Sequence, residues 1–379
     1  MKPAARGLLA LGFATLLSAA SLPAANESAA RNPPTRPVAL AATRINGLDY
    51  VSVDDAARWL NLAGAWAEPR HKFVLTGRSD RLELNADSRE TLLNGLRVIL
   101  GDPTMLRSDK LYLSRIDLER CLGPRLRPSL AGSPPPAVKV IALDPGHGGT
   151  DPGKENIPLG LKEKELTLDV VFRLKKQLEA GGYRVVLTRT SDATFSPDKK
   201  KDLLLRAKAA NDAGADLFVS VHFNSLSPDT RTTGTELYTF APANQHAADW
   251  WGGTRKDDPY FETADEPVNR YDGWSAVLSQ ALHRDLIGSL KTVDRGAKVM
   301  HLEVLRTLDC PAVLVEAVFL SNNAEARRAA MPEYRERIAG AIFSGIRDYA
   351  ALVQASRPPE VTLPAGPTST GGSAPSNSK

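Results

Sequence analysis

"IALDPGHGGTDPG", Ile141 to Gly153, decides how the rest of the chain is read. The run leading into it, Val138 to Leu143, is short, rich in β-branched residues and bounded by turn formers, which is the pattern of a buried strand. Four glycines and two prolines then make a tight loop at the strand's C-terminal end. In open α/β sheets that is the edge where ligands sit. His147, one of only six histidines in 379 residues, stands in this loop. A lone loop histidine is ambiguous, so its meaning depends on what else the chain brings to the same edge.

Outward from this stretch, residues 138–354 alternate strand and helix. Strands are expected at 138–143, 183–188, 217–221, 234–240 and 312–318, and helices at 163–180, 202–213, 275–290 and 333–353. Strands separated by helical segments predict a largely parallel α/β sheet flanked by helices, with a small α+β domain before it. That smaller unit is placed at 37–128. "RINGLDYVSVDDAARWL" reads as a strand and then a helix capped by Ser52 or Asp54. "LYLSRIDLERCL" repeats the pattern, and Asn46-Gly47 and Asn94-Gly95 are hairpin signals. Residues 129–137, which include "AGSPPPA", read as a Pro-rich linker, and 355–379 as a disordered tail.

Composition narrows the function. Residues 1–25 have a basic start (Lys2, Arg6), an apolar stretch too short to span a bilayer, and small residues before a cleavage point. They are expected to be a secretory signal peptide, leaving no transmembrane segment once removed. Its loss lowers the formal net charge from +4 to +2, too little to argue for nucleic acid, and basic residues are not clustered with aromatics. The lysines of "DKKKD" are flanked by Asp198 and Asp202 and read as a solvated loop. Cys121 and Cys310 are the two cysteines. They read as buried thiols, with a disulfide as the alternative, and they cannot supply a zinc-thiolate site.

Three further residues change the meaning of His147. In "GLKEKELTLDVVFRLKKQLEA", Leu166, Val170, Leu174 and Leu178 form one apolar helical stripe. At about 100° per residue, Glu163 points within about 20° of Val170, toward the core. A carboxylate aimed there needs a partner, although an N-terminal glutamate favoured by the helix dipole is the other reading. "ADLFVSVHFNS" ends a second strand with His222. Two histidines at the C-terminal ends of parallel strands, and a glutamate opening the helix after the first, share one sheet edge. Two imidazoles and a carboxylate with a fourth position open to water is the donor set of catalytic zinc. In "CPAVLVEAVFLSN", Glu316 interrupts an apolar central strand. Burial there raises its proton affinity toward that of a general acid and base near neutral pH.

Taken together, D-P-G-H-G-G (144–149), E-K-E-L (163–166), S-V-H-F-N (220–224), D-R-G-A-K (294–298) and L-V-E-A-V-F-L-S-N (314–322) resemble the zinc-dependent N-acetylmuramoyl-L-alanine amidases. The likeness covers 138–354 and has the motifs in the family's order. It implies zinc held by His147, Glu163 and His222, with Glu316 as catalytic acid and base. The implied reaction hydrolyses the amide between N-acetylmuramic acid and L-alanine in peptidoglycan. The resemblance also implies Arg206, Asn211, Asn224, Asp294 and Arg295, which recur in the family's motifs, as supporting or structural residues. Phe223 and Val318 depart from the small residues usual beside the histidine and glutamate. The 37–128 unit resembles, in pattern only, the N-terminal-type domain of copper amine oxidases.

Peptidoglycan is therefore the expected partner, with a protein activator and the oligomeric state left open. The expected location is the periplasm, or alternatively the cell wall outside the cell. A zinc carboxypeptidase acting on stem peptides and a non-catalytic wall-binding protein are the competing readings. The stretch 241–274 holds three of the five tryptophans and is open to two readings, a lid or a packed structural segment. His71, His246, His283 and His301 are read as surface or structural residues.

Overall fold

The computed structural model describes residues 40–248 and 269–358. The signal peptide, Trp250 and Trp251 with most of the 241–274 stretch, and the tail from 359 lie outside the described residues.

The N-terminal module is richer in strands than its sequence pattern implied. It contains β1 (Thr43–Ile45), β2 (Leu48–Ser52), α1 (Val53–Leu60), β3 (Ala63–Glu68), β4 (Lys72–Thr76), β5 (Arg81–Asn85), β6 (Glu90–Leu93), β7 (Leu96–Ile99), β8 (Met105–Arg107) and β9 (Lys110–Ser114). The Asn46-Gly47 and Asn94-Gly95 turns join β1 to β2 and β6 to β7, and both residues of each pair have positive φ. Ser52 caps α1, its side chain accepting from the Asp55 amide. Short helical turns over Asp117–Leu122 and α2 (Gly123–Leu126) complete the module.

The second half carries β10 (Val140–Pro145), the short pair β11 (Glu155–Asn156) and β12 (Leu161–Lys162), α3 (Glu163–Ala180), β13 (Arg184–Leu187), α4 (Lys199–Asp212) and β14 (Leu217–Asn224). It continues with β15 (Thr235–Phe240), α5 (Asp272–Leu290), β16 (Asp294–Met300), α6 (Glu303–Arg306), β17 (Ala312–Phe319), α7 (Asn323–Ala330) and α8 (Pro332–Ser356). β13, β10, β14 and β17 are neighbours and run parallel. β15 pairs antiparallel with β17, and β16 lies parallel to β15. The expected largely parallel sheet is present, with its last two strands reversed.

Successive strand residues face opposite sides of a sheet. Ile141, Leu143, Val219, Val221, Val313 and Val315 face the large core built with α3, α5 and α8. Ala142, Phe218, Ala312 and Leu314 face the smaller core under α4 and α6. The same parity carries Asp144, Ser220, His222 and Glu316 to the α4 side at the C-terminal edge. β15 runs the other way, so Glu236, near its start, arrives at that edge too.

The module and the catalytic half share one sheet. β16 pairs in parallel with β7, with Val98 opposite Ala297, and 11 strands run continuously from β13 to β3. The Arg97 amide donates to Asp294 Oδ2 at 2.8 Å. Arg89 donates to the Ala247 carbonyl, and His246 Nδ1 lies 2.8 Å from Asp102. The segment expected as a linker begins in a helical turn, Pro128–Leu130, and its Ala131 backbone abuts Gly273, while Gly132, Ser133 and Pro136 are exposed. Trp274 is buried edge-on against Tyr349, so this one tryptophan of the 241–274 stretch packs in the core. Both cysteines are free and buried. No described helix is long and apolar enough to cross a membrane.

Candidate metal and hydrolytic site

The site is built from the ends of β10, β14 and β17 and the start of α3. Asp144, the last residue but one of β10, is 1% exposed. It accepts from the Thr188 hydroxyl (2.5 Å), the Ser220 hydroxyl (2.7 Å) and Arg206 (2.9 Å). Burial pushes this carboxyl upward, but the Arg206 charge and the two hydroxyls outweigh it and hold it below the usual range. Arg206 reaches on to the Pro145 and His147 carbonyls and to Asp202, pinning the loop from the α4 side.

Gly146 is required by space: a Cβ there would lie 2.2 Å from the His222 ring. His147 follows in the left-handed region at φ 62°, a conformation costing a non-glycine residue on the order of 1 kcal/mol. Its Nδ1 is 2.9 Å from Asp151 Oδ2, which fixes the ring so that Nε2 faces Glu163 Oε1 at 3.1 Å. The His222 ring stands edge-on to that of His147, with centroids 4.9 Å apart. Its Nδ1 is 3.0 Å from the same Glu163 oxygen.

Glu163 is the first residue of α3 and is 4% exposed. The Phe223 and Lys154 amides donate to its two oxygens at 3.0 and 2.8 Å. Burial raises its proton affinity, yet the hydrogen bonds from both histidines prevail and hold the carboxyl far below its ordinary value. Burial lowers that of His147, but Glu163 and Asp151 together raise it above the usual histidine range. His147, Glu163 and His222 thus offer ligand atoms all within 4.8 Å of one another, the one such metal-competent cluster among the described residues. Two imidazoles and a low-pKa carboxylate fit a zinc ion by their chemistry.

Glu316 lies beside this cluster, opposite His222 on β14 and opposite Glu236 on β15. Its Oε2 is buried with no hydrogen-bond partner among the described residues. Burial, then the negative charges of Glu163 and Glu236, drive its proton affinity well above that of an ordinary glutamate, with Lys298 opposing. Glu236 behaves in the opposite way. Burial raises it, but Lys298, Tyr238 and Arg295 bond to it and hold it low. Asn224 donates to it as well.

A cleft of about 620 Å³ runs along the site. His147, His222, Glu163 and Glu316 lie along it together with Lys154 and Lys199, and Met300, Leu302 and Val304 also border it. Phe223, a departure from the resemblance, lines it too, whereas Val318 is buried in the core. Of the remaining histidines, His283 and His246 are buried against Asp294 and Asp102, His301 stands edge-on to Phe240, and His71 is exposed.

Glu236, Asp144, Asp151 and Tyr238 join the site, and Arg189 bonds the backbone behind it, without having been singled out in the sequence. Asp144 and Asp151 are the two aspartates of the opening stretch, and their closeness to His147 was the available signal. Asn211, expected in a supporting role, bonds the backbone at Thr307 and Asp309, helping to seat the chain around α6.

A family model described as N-acetylmuramoyl-L-alanine amidase matches residues 141–348. The germination-specific N-acetylmuramoyl-L-alanine amidase of Bacillus subtilis (strain 168) is 30% identical over 235 residues, covering 60% of this chain and 85% of that protein. The amidase AmiC of Neisseria meningitidis serogroup B is 34% identical over 225 residues, which are 55% of this chain and 52% of its relative. The chain therefore spans only about half of that second protein. Among solved structures, an N-acetylmuramoyl-L-alanine amidase from Clostridium difficile 630 is similar at 27% identity. Its TM-score is 0.46, with coverage of 57% of this chain and 98% of that one.

Proposed function

The chain belongs to the N-acetylmuramoyl-L-alanine amidase family, and on that premise we propose that it is a zinc hydrolase acting on peptidoglycan through His147, Glu163, His222 and Glu316. It hydrolyses the amide that joins the lactyl group of N-acetylmuramic acid to L-alanine. The supporting observation is the convergence of two histidines and a low-pKa glutamate beside a second glutamate of high proton affinity, along one open cleft.

Zinc bound by His147, Glu163 and His222 would supply Lewis acidity, polarising an amide carbonyl and acidifying water to a pKa of about 7. Glu316 takes the proton of the attacking water and returns it to the departing amine. Water is thereby added across the C–N bond, leaving a lactyl carboxylate and a free L-alanine amine. Asp151 orients the His147 ring, and the Lys154 and Phe223 amides hold the Glu163 carboxylate in place. Glu236, tied down by Arg295 and Lys298, keeps a fixed negative charge beside Glu316 and so maintains its basicity.

Residues 1–25 are read as the signal that exports the chain to the wall it cuts, in the periplasm or alternatively at the cell surface. The N-terminal module is read, from its sequence pattern alone, as similar to the copper amine oxidase N-terminal type, with no copper assigned to it. The deciding experiment incubates the zinc-loaded mature protein with purified sacculi and identifies soluble products by mass spectrometry. Intact stem peptides with a free L-alanine amine are expected. Release of single amino acids would reassign the chain as a carboxypeptidase, and binding without products would make it a wall-binding protein. Turnover without any added protein would remove an activator from this reading.

A further inference from the structure

We propose that Arg189 is a positioning residue that sets the zinc affinity of the site, by bracing the His147 loop against the first turn of the Glu163 helix. The inference rests on the zinc reading above. Arg189 follows β13 in "LTRTSD" and is 6% exposed. Its Nε donates to the Pro145 carbonyl at 2.9 Å, and one terminal nitrogen donates to the Gly146 carbonyl at 2.9 Å. The same nitrogen donates to the Lys164 carbonyl at 2.7 Å and reaches the Thr167 hydroxyl at 3.2 Å. The other terminal nitrogen closes on its own loop at the Ser191 carbonyl, 3.0 Å away.

One guanidinium therefore holds the two carbonyls just before one metal-ligand candidate and the carbonyl just after another. The guanidinium serves four carbonyls at once, those of Pro145, Gly146, Lys164 and Ser191, which is more acceptors than the three protons of a lysine ammonium can satisfy. All of these partners are neutral oxygens, so no directly bonded carboxylate offsets the burial of the charge. What the arrangement supplies is geometry. His147 holds a left-handed backbone that a free loop would not keep. Arg206 grips that loop from the α4 side but bonds to Asp144 and Asp202 rather than to α3. Thr167 and Lys164 reinforce the bridge from the helix side, donating to the Gly146 and Gly149 carbonyls.

The test uses the full mature chain and measures zinc affinity by competition with a chelating dye, well below the melting temperature of each metal-free variant. Arg189→Met is expected to weaken zinc binding about 10- to 100-fold, the usual effect of losing a residue that orients a ligand. Arg189→Lys keeps the charge but not the fork, so it should recover little of that loss. With zinc saturating, turnover of either variant should return to within a few-fold of the parent. Wild-type zinc affinity in a folded Arg189→Met chain overturns the proposal. Should that variant fail to fold, Thr167→Val removes one donor to the Gly146 carbonyl and one Arg189 partner at constant shape. A several-fold loss of affinity is expected there, and an unchanged affinity overturns the proposal equally. A parent chain that takes up no zinc defeats the hydrolase reading itself, which sets that failure apart from a failure of the brace.

Discussion

Two buried carboxylates, one at the catalytic edge of the sheet and one where the module meets the catalytic half, respond to burial in opposite ways. Asp144, at the catalytic edge, faces a guanidinium and two hydroxyls and stays ionised. Asp117, where the module meets the catalytic half, accepts from the Gly101 and Asp102 amides and from Gln245. Burial and the neighbouring Asp102 charge overcome those bonds and push it up to about 6. The same residue type, equally enclosed, is held ionised in one place and takes up a proton near pH 6 in the other. Depth of burial alone therefore does not identify a chemical site; the partners do. Glu316 extends the lesson, since it shares Asp117's raised proton affinity but borders an open cleft.

The largest effect should come from that difference in access. Glu316→Gln keeps the shape and removes the proton carrier, so turnover on sacculi should fall by about 10²- to 10⁴-fold. Metal analysis of the variant should still find zinc; its loss would make Glu316 a ligand rather than the acid and base. Next, Arg206→Met strands the Asp144 charge without its partner and should cost about 3–5 kcal/mol in urea unfolding at pH 7. The penalty should shrink in acid as Asp144 takes up a proton. A small penalty at neutral pH would show that the hydroxyls alone hold the carboxylate.

A smaller effect separates the two regions by sign. Asp117 binds a proton more tightly folded than unfolded, so its contribution favours the folded chain in acid and is lost as pH rises from about 4 through about 6. Asp144, held low, contributes stability above its ordinary value and loses it as pH falls. Asp117→Asn should remove the decline between those pH values, worth a few kcal/mol at most. Parallel pH–stability curves for the variant and the parent would break the contrast.

The four residues proposed for the site drew notice in the sequence for different reasons: His147 stands in a glycine-rich loop just past a strand, and the other three interrupt strong patterns. His222 and Glu316 break apolar strands, and Glu163 points at its helix's own core stripe. Their supports were not legible. Glu236 in "TELYTF" looks like the solvent face of an alternating strand, and its burial depends on Arg295 and Lys298 arriving from β16. β16 itself went unread, because Asp294, Arg295, Gly296 and Lys298 spoil its alternation. Asp294, Arg295 and Lys298 are polar because they reach Glu236, His283 and the module. Arg189, after its strand, has the look of a surface-loop residue. No local pattern could reveal that the module and the catalytic half share a sheet, since that pairing joins distant parts of the chain.

The shared sheet also bears on how the molecule is made. Arg97 and its acceptor Asp294 are 197 residues apart in sequence. Synthesis begins at the N-terminus, so the module is complete long before β16 exists. Until then β7 is a bare strand edge, a row of unpaired donors and acceptors that templates aggregation. Pairing over such a separation is slow to form. The half-made protein is thus its most vulnerable form, and any chain cut short before residue 294 keeps that edge open for its lifetime.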